Sequence, residues 1–160
     1  MIALKCGHNK TSLSIMSSPY FDPKIKSEQE DSYLIYAAKC NSIVIRKLVD
    51  LNVDAMEANV IGTAPSHEMA RCDNADGLKE LCRSKSKSDI ERLISAQDGK
   101  YGYSPLHQAA KVGAVRALKY LLELGANCNS QCNSGNSPLA LCILAYVNKS
   151  KSQKKSKDIK

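Results

Sequence analysis

Apolar side chains in the middle of the chain recur every three or four residues, a spacing that predicts helices. The clearest run lies in 115–124 and places four residues on one helical face: Val115, Leu118, Leu121 and Leu122. Just before it, Ser104 and Pro105 are typical of a helix start, because serine caps first-turn N–H groups and proline suits the first helical position. Gly113 and Gly125 are expected to end the two helices.

This helix–turn–helix pattern repeats along the chain. The tripeptide Ser-Pro-Leu at 104–106 recurs at 137–139, 33 residues later, and a glycine lies two residues before each copy. An earlier copy has Pro65 and His67 in the same register, and a still earlier one begins at 33–38. Such periods are typical of stacked repeats in which each unit covers its neighbour's apolar face. The sequence therefore predicts an all-α solenoid of about three and a half repeats.

The third copy, SPLHQAAKVGAVRALKYLLELGANCN, resembles an ankyrin repeat almost position for position. The resemblance covers about 31–147 and implies a stack of helix pairs that binds other proteins. The second copy departs from the pattern through a Ser/Lys insert after Cys82 and through Ser66 in place of a core leucine. The fourth copy is expected to stop after its first helix.

Resemblance and composition together divide the chain into three parts. We expect a flexible N-terminal arm at 1–27, an ankyrin-repeat domain at 28–147 and a disordered basic tail at 148–160, because the tail holds six lysines and a single apolar residue. Within the domain, the predicted repeats span about 31–62, 63–102, 103–135 and, as a half repeat, 136–147. In the insert, Ser88 and Glu91 fit a capping box that starts an extra helical turn.

The net charge of the 160-residue chain is +7, and the tail supplies +5 of it. The body is therefore nearly neutral, and we do not expect nucleic-acid binding. Three lysines of the tail fit a nuclear-import patch, with a solubilising tail as the alternative: Lys154, Lys155 and Lys157. The serine-rich insert is expected to be a surface loop, with phosphorylation as the alternative.

The apolar runs and the cysteines indicate the cellular compartment of the protein. The longest apolar run, 139–147, has nine residues, about half the ~18 that a membrane-spanning helix needs. No secretory signal is recognisable at the N-terminus, and the seven cysteines are odd in number and irregularly spaced. These observations predict reduced thiols and a protein of the cytoplasm, the nucleus or both.

Candidate catalytic groups are sparse. His67 and His107 occupy the position of the family's structural histidine, so the resemblance implies hydrogen bonds to the turn backbone rather than catalysis. Cys128 and Cys132 lack the second pair of ligands that a closed zinc site requires. No nucleophile motif or phosphate-binding loop is present. We therefore predict no enzyme activity, no cofactor and no metal.

In the family, partners contact the turn tips and the outward residues of each first helix. Carried over to this sequence, the positions are Val60, Ile61, Thr63, Arg71, Cys72, Lys100, Tyr101, Tyr103, Lys111, Val112, Asn133, Ser134 and Asn136. Tyr101 and Tyr103 are the most informative, because tyrosine is common at binding hot spots. The alternative is that one of them only packs on a neighbouring turn.

The resemblance implies a monomeric protein-binding module that acts as an adaptor, a scaffold or an inhibitor by occupancy. Two alternatives stay open. The first is an inhibitor of a transcription factor, similar to IκB-like and viral ankyrin proteins. The second is a piece of a longer ankyrin protein, such as a ubiquitin-ligase substrate adaptor, in which case the apolar residues Leu141, Ile143 and Leu144 are expected to cause self-association.

Overall fold

A computed structural model describes residues 8–83 and 85–157 of the chain. Within these ranges the protein is all-α, as predicted, with no strand. The helices, in chain order, are α1 Asn9–Met16, α2 Tyr33–Tyr36, α3 Ser42–Asp50, α4 Pro65–Arg71, α5 Ala75–Cys82, α6 Lys87–Ser95, α7 Pro105–Val112, α8 Val115–Glu123 and α9 Pro138–Lys157. A 3₁₀ turn, Ala37–Lys39, extends α2.

The helices stack in two layers, as a solenoid requires. The inner layer is formed by α2, α4, α7 and α9, and the outer layer by α3, α5 and α8, with each helix packing on its neighbour in the same layer. One continuous core runs between the layers, and its fully buried side chains include Leu34, Leu48, Met69, Leu81 and Leu106. Because each repeat buries its apolar side chains against the next, the stack positions the turns that precede the inner helices.

The α7–α8 pair shows how the sequence sets these turns. Pro105 opens α7, and the Ser104 hydroxyl accepts a hydrogen bond from the N–H of His107 at 3.4 Å. Gly113 ends the helix in the left-handed conformation, at φ +76°. An L-amino acid is strained there, so this glycine permits the sharp turn into α8.

The N-terminal segment differs from the flexible arm that we expected at 1–27. Residues 9–16 form α1, in which the side chains of Ser12 and Met16 are buried, and the Phe21 ring lies 5.0 Å from that of Tyr33. These contacts cover the apolar end of the first repeat, which supplies the burial that orders the segment. Residues 1–7 lie outside the described part of the chain.

The C-terminal segment differs as well, since α9 continues through Lys157 where we expected disorder from 148 onward. No glycine or proline follows Pro138 to interrupt the helix. Lysine and glutamine are good helix formers, and cations near a helix C-terminus interact favourably with its dipole. Residues 158–160 of the expected tail lie outside the described part.

The insert after α5 forms a full helix, α6, and its cap is not the predicted one. Ser86, rather than Ser88, caps the helix: its hydroxyl accepts from the N–H of Asp89 at 3.2 Å and donates to that carboxylate at 2.7 Å. Leu93 and Ile94 are buried in the core, so the apolar face of α6 orders the insert. Ser84 lies outside the described residues.

Among the helices that the structure describes, none combines the length and the apolar character needed to cross a bilayer.

Candidate functional site: the row of hairpin tips

Four tight turns precede the inner helices, and we call them tip 1 (27–31), tip 2 (59–63), tip 3 (98–103) and tip 4 (132–136). In each, the N–H of the first residue donates to the carbonyl of the last, at 3.2, 3.0, 2.9 and 3.1 Å respectively. Each tip is therefore a closed hairpin with its central residues directed away from the helices. The four tips together are the tip row.

Backbone hydrogen bonds also join each tip to the next. Val60 N–H donates to the Gln29 carbonyl at 3.1 Å, Gly99 N–H to that of Ile61 at 3.0 Å, and Asn133 N–H to that of Tyr101 at 2.9 Å. These bonds fix the order and spacing of the tips. The tip row is thus a preformed surface rather than four independent loops.

Two buried histidines hold tips 3 and 4 from beneath. The Nδ1 atom of His67 accepts from Ala64 N–H at 3.2 Å, so Nε2 carries the proton and donates to the carbonyls of Ala96 at 3.1 Å and Tyr103 at 3.0 Å. His107 accepts from Ser104 N–H at 3.2 Å and donates to the Asn136 carbonyl at 3.1 Å. The predicted structural role of both histidines is confirmed.

Burial keeps both imidazoles neutral. Desolvation lowers the pKa of His67 and of His107 below 6.5, more strongly than their carbonyl acceptors raise it. Each ring therefore keeps one proton and one acceptor nitrogen, which is the state that these hydrogen bonds require.

Tip 1 lies partly in the segment that we assigned to the flexible arm, and we did not predict it from the sequence. Glu30 has a φ of +59° and occupies the position that Gly62, Gly102 and Gly135 take in the other tips. Glu30 precedes Gly62 by 32 residues, close to the repeat period, so the spacing held a signal. A search for glycine could not find it, because a glutamate takes up the left-handed conformation here.

The structure brings most of the predicted partner-binding residues to the tip row. Tips 2, 3 and 4 carry these: Val60, Ile61, Thr63, Lys100, Tyr101, Tyr103, Asn133, Ser134 and Asn136. The remaining predicted residues lie at the last turns of α4 and α7: Arg71, Cys72, Lys111 and Val112. Thr63 is buried, and Cys72, Tyr103 and Asn136 are half-buried, while the other nine are exposed. Burial makes Thr63 a poor contact residue.

Tip 3 combines aromatic rings with cations. The Tyr101 and Tyr103 rings stack with their centroids 5.1 Å apart, and the Nζ atom of Lys111 lies 5.4 and 4.9 Å from the two centroids. Lys100 Nζ lies 4.9 Å from the Tyr101 centroid. Tyr103 also stacks on His107 at 5.9 Å. Tyr103 thus packs on its own turn, whereas Tyr101 is an exposed residue, with 44% of its surface accessible.

A groove lies beside tips 1 and 2, between the first two repeats. It has a volume of about 330 Å³, and its lining includes Ile61, Thr63, Arg71 and Cys72. Arg71 is held by Glu68, with Nε 3.0 Å from Oε2. Burial raises the pKa of the Cys72 thiol, so this cysteine is not an activated nucleophile.

The other candidate groups do not form a site in the described part of the chain. No three His, Cys, Asp or Glu side chains in residues 8–83 and 85–157 are grouped so as to hold a metal ion. Cys128 is exposed whereas Cys132 is buried. The three lysines of the predicted import patch lie in the last turns of α9, and their side chains are outside the described part.

Stacked helix pairs joined by hairpin tips, with a buried histidine under two of them, define the ankyrin class of α-solenoid. Residues 93–142 match the family model described as "Ankyrin repeats (many copies)". Residues 93–142 are therefore ankyrin repeats, and the helix pairs before them continue the same stack.

Two curated proteins are similar to parts of the chain. An ankyrin and armadillo repeat-containing protein of Mus musculus is 36% identical over 85 residues, which is 53% of this chain and 6% of the mouse protein. Tyrosine-protein kinase Shark of Drosophila melanogaster is 30% identical over 144 residues, 86% of this chain and 13% of the kinase. The chain therefore spans only a small fraction of the length of either relative.

Proposed function

We propose that the chain binds a protein partner along the tip row and the adjoining groove, and that it acts by occupancy as an adaptor, a scaffold or an inhibitor. Ankyrin repeats form a protein–protein interaction module rather than a catalytic fold. Beyond this general role, we assign partner binding to one surface of this chain, the tip row with the adjoining groove.

The exposed apolar side chains of the tip row carry this assignment. Val60 is 61% exposed, Ile61 is 51% exposed and Tyr101 is 44% exposed, on hairpins that hydrogen bonds already hold in place. A hairpin backbone that is already held in place loses little further conformational entropy when a partner binds. Tyrosine is also one of the residue types that are enriched at binding hot spots.

A capture experiment with a matched control tests the assignment. The immobilised wild-type chain and the variants Tyr101→Ala and Val115→Ala are incubated with lysate, and bound proteins are quantified by mass spectrometry. Val115 is a suitable control, because it is 57% exposed but lies on α8, away from the tips. Tyr103 is left unchanged, since its ring stacks on His107 and its loss would also disturb the turn.

We expect Tyr101→Ala to reduce capture of a small set of proteins by tenfold or more, the effect of removing one hot-spot ring. Val115→Ala should leave capture unchanged. Equal capture by wild type and Tyr101→Ala would contradict the tip row as the binding surface. Loss in both variants would also contradict it, because the effect would then not depend on the tips.

The compartment and the oligomeric state belong to the same proposal. We place the protein in the cytoplasm, the nucleus or both, as a monomer, with Lys154, Lys155 and Lys157 acting in nuclear import. A fluorescent fusion with these three lysines changed to alanine should lose nuclear signal. An unchanged distribution would remove the import role, and sedimentation that depends on concentration would contradict the monomer.

A further inference from the structure

The four tips differ in the chemistry that they expose. Tip 1 is acidic, with Glu28, Glu30 and Asp31, and tip 2 is apolar, with Val60 and Ile61 at its end. Tip 3 is cationic and aromatic through Lys100 and Tyr101, and Lys111 of α7 lies over the same rings. Tip 4 offers neutral amide and hydroxyl groups from Asn133 and Ser134. From tip 1 to tip 3 the charge therefore changes from negative through neutral to positive, and tip 4 beyond them is neutral.

The two lysines at tip 3 are exposed and have no carboxylate in direct contact among the described residues, although Asp98 attracts Lys100 at longer range. Neither Lys100 nor Lys111 forms an ion pair there. The nearby Asp98 carboxylate is buried and already occupied: it accepts from Tyr101 N–H at 2.7 Å and from the Gln108 side-chain amide at 3.2 Å. Both ammonium groups are thus exposed over aromatic rings and free to meet an anion.

Two acidic side chains of tip 1 are also exposed and can contact a cation of a partner. Glu28 and Glu30 are exposed and form no ion pair with a described residue. Asp31 is half-buried and accepts from the Asn59 side-chain amide at 2.7 Å, which ties tip 1 to tip 2. The neighbouring Lys26 is paired with Glu57 at 2.5 Å and acts on Glu30 only through a longer-range attraction.

Resting on the proposed function, we propose that the partner presents an extended segment with charges at opposite ends. Its basic residues lie over tip 1, its apolar residues contact Val60 and Ile61, and its Asp or Glu side chains meet Lys100 and Lys111. Opposite charges attract at both ends of this arrangement. A segment bound in the reverse direction places like charges together at both ends, which is unfavourable.

Hydrogen bonds between neighbouring tips fix the order in which their charges follow one another along the surface. Tip 2 is joined to tip 1 through Val60 and Gln29, and to tip 3 through Ile61 and Gly99. The acidic and cationic tips therefore cannot exchange places. A flexible set of loops would accept a segment in either direction, whereas this row selects one.

Peptide selection with a charge-reversed variant tests the inference. A phage-displayed library of random 12-residue peptides is selected on the wild-type chain and on a quadruple variant, Glu28→Lys, Glu30→Lys, Lys100→Glu and Lys111→Glu. A control carries Lys119→Glu and Glu123→Lys, two exposed positions on α8 outside the tip row. Circular dichroism and thermal unfolding confirm that each variant is folded.

We expect wild type and the α8 control to enrich the same peptides, with basic residues at one end, apolar residues in the centre and acidic residues at the other end. The quadruple variant should enrich peptides with the reverse order. A peptide selected on wild type should bind the quadruple variant at least tenfold more weakly, because both ends then face like charges.

The remaining outcomes separate this inference from the proposed function. Peptides that bind through Tyr101 but show no charge order would overturn the inference and leave the tip row as the binding surface. Peptides that bind Tyr101→Ala and the quadruple variant as tightly as they bind wild type would count against both the inference and the proposed function. A selection that enriches no peptide from any variant would overturn the extended segment, while the capture experiment still decides the proposed function.

Discussion

The second and third repeats use histidine where the first repeat has Ile35. In the third repeat, His107 joins the Ser104 turn to tip 4, with Ser104 Oγ 2.8 Å from Nδ1. In the first repeat, the corresponding Ser32 is buried, but its hydroxyl has no hydrogen-bond partner among the described residues. The isoleucine cannot supply one. The serine before the inner helix is thus hydrogen-bonded in the third repeat, whereas in the first repeat its buried hydroxyl is unsatisfied and destabilising.

The first repeat is attached on its outer side instead. Arg46 of α3 donates two hydrogen bonds to Glu80 of α5, at 3.0 and 2.6 Å, and Arg83 pairs with Asp50. The Asn74 amide also donates to the carbonyls of Ala38 and Cys40 at 2.8 and 2.9 Å. Between repeats two and three, the outer side also carries an ion pair, Arg116 with Asp76 at 2.7 Å, but the neutral His67 adds a buried contact that the first junction lacks. One stack thus has a charge-paired first junction and a second junction in which a buried histidine is added to the outer ion pair.

Removing His107 should have the largest effect on stability. His107→Ala leaves Ser104 N–H and the Asn136 carbonyl without their partner and opens a cavity, so we expect a loss of about 2–4 kcal/mol in the free energy of unfolding. Urea unfolding followed by circular dichroism measures it. A loss below about 0.5 kcal/mol would mean that the histidine does not hold the junction.

Acidification should weaken the histidine-based junction first. The pKa of His67 and of His107 is lowered below 6.5 in the folded chain, so the unfolded chain binds protons there that the folded chain does not. Stability from this source is complete above pH 6.5 and is lost as the pH falls, with a slope of at most about 1.4 kcal/mol per pH unit for each histidine.

Urea unfolding at pH 7.5, 6.5 and 5.5 tests this dependence, with His107→Gln measured in parallel. The variant should show a shallower loss than wild type, because it lacks one of the two titrating rings. Stability that is constant over this range in the wild type would contradict the neutral, buried histidines.

Breaking the charge-paired junction should have a smaller effect. Glu80→Ala removes the acceptor of Arg46 and Arg83, and we expect a loss of about 1–2 kcal/mol. In the Glu80→Ala variant, amide hydrogen exchange should show that α3 opens faster than α8. Glu91→Ala, at an exposed position on α6, is the matched control and should change neither quantity.

Substitutions of the serines at the N-cap positions of α7 and α2 should change the stability in opposite directions. Ser104→Ala loses a cap and should destabilise the chain by about 1 kcal/mol. Ser32→Ala removes a buried hydroxyl that has no partner, so it should stabilise the chain by about 1 kcal/mol. Equal losses in the two variants, measured by urea unfolding at pH 7, would show that Ser32 finds a partner after all.

The parts of the fold that sequence analysis predicted are those with special backbone chemistry. Pro105, His107 and the glycines of tips 2 to 4 each perform a local task that a sequence displays. Tip 1 was missed because Glu30 adopts the glycine conformation, and α1 was missed because its order comes from burial against the first repeat. Such tertiary effects leave no local pattern.

The candidate site was predicted in position but not in chemistry. The resemblance gave the turn residues, and the structure places nine of the thirteen on the tips. The resemblance could not show that two cations lie over the Tyr101 ring, because Lys100 and Lys111 are 11 residues apart in the chain and meet only in the folded turn. The resemblance also did not indicate that tip 1 is acidic.

Site-specific photo-cross-linking tests the central claim most directly. A photoreactive amino acid replaces Val60, Tyr101 or, as a control on α8, Lys119, and each variant is irradiated in cells. We predict that the same partner is cross-linked from Val60 and Tyr101 and not from Lys119. A partner that is cross-linked from Lys119 and from neither tip would contradict binding along the tip row.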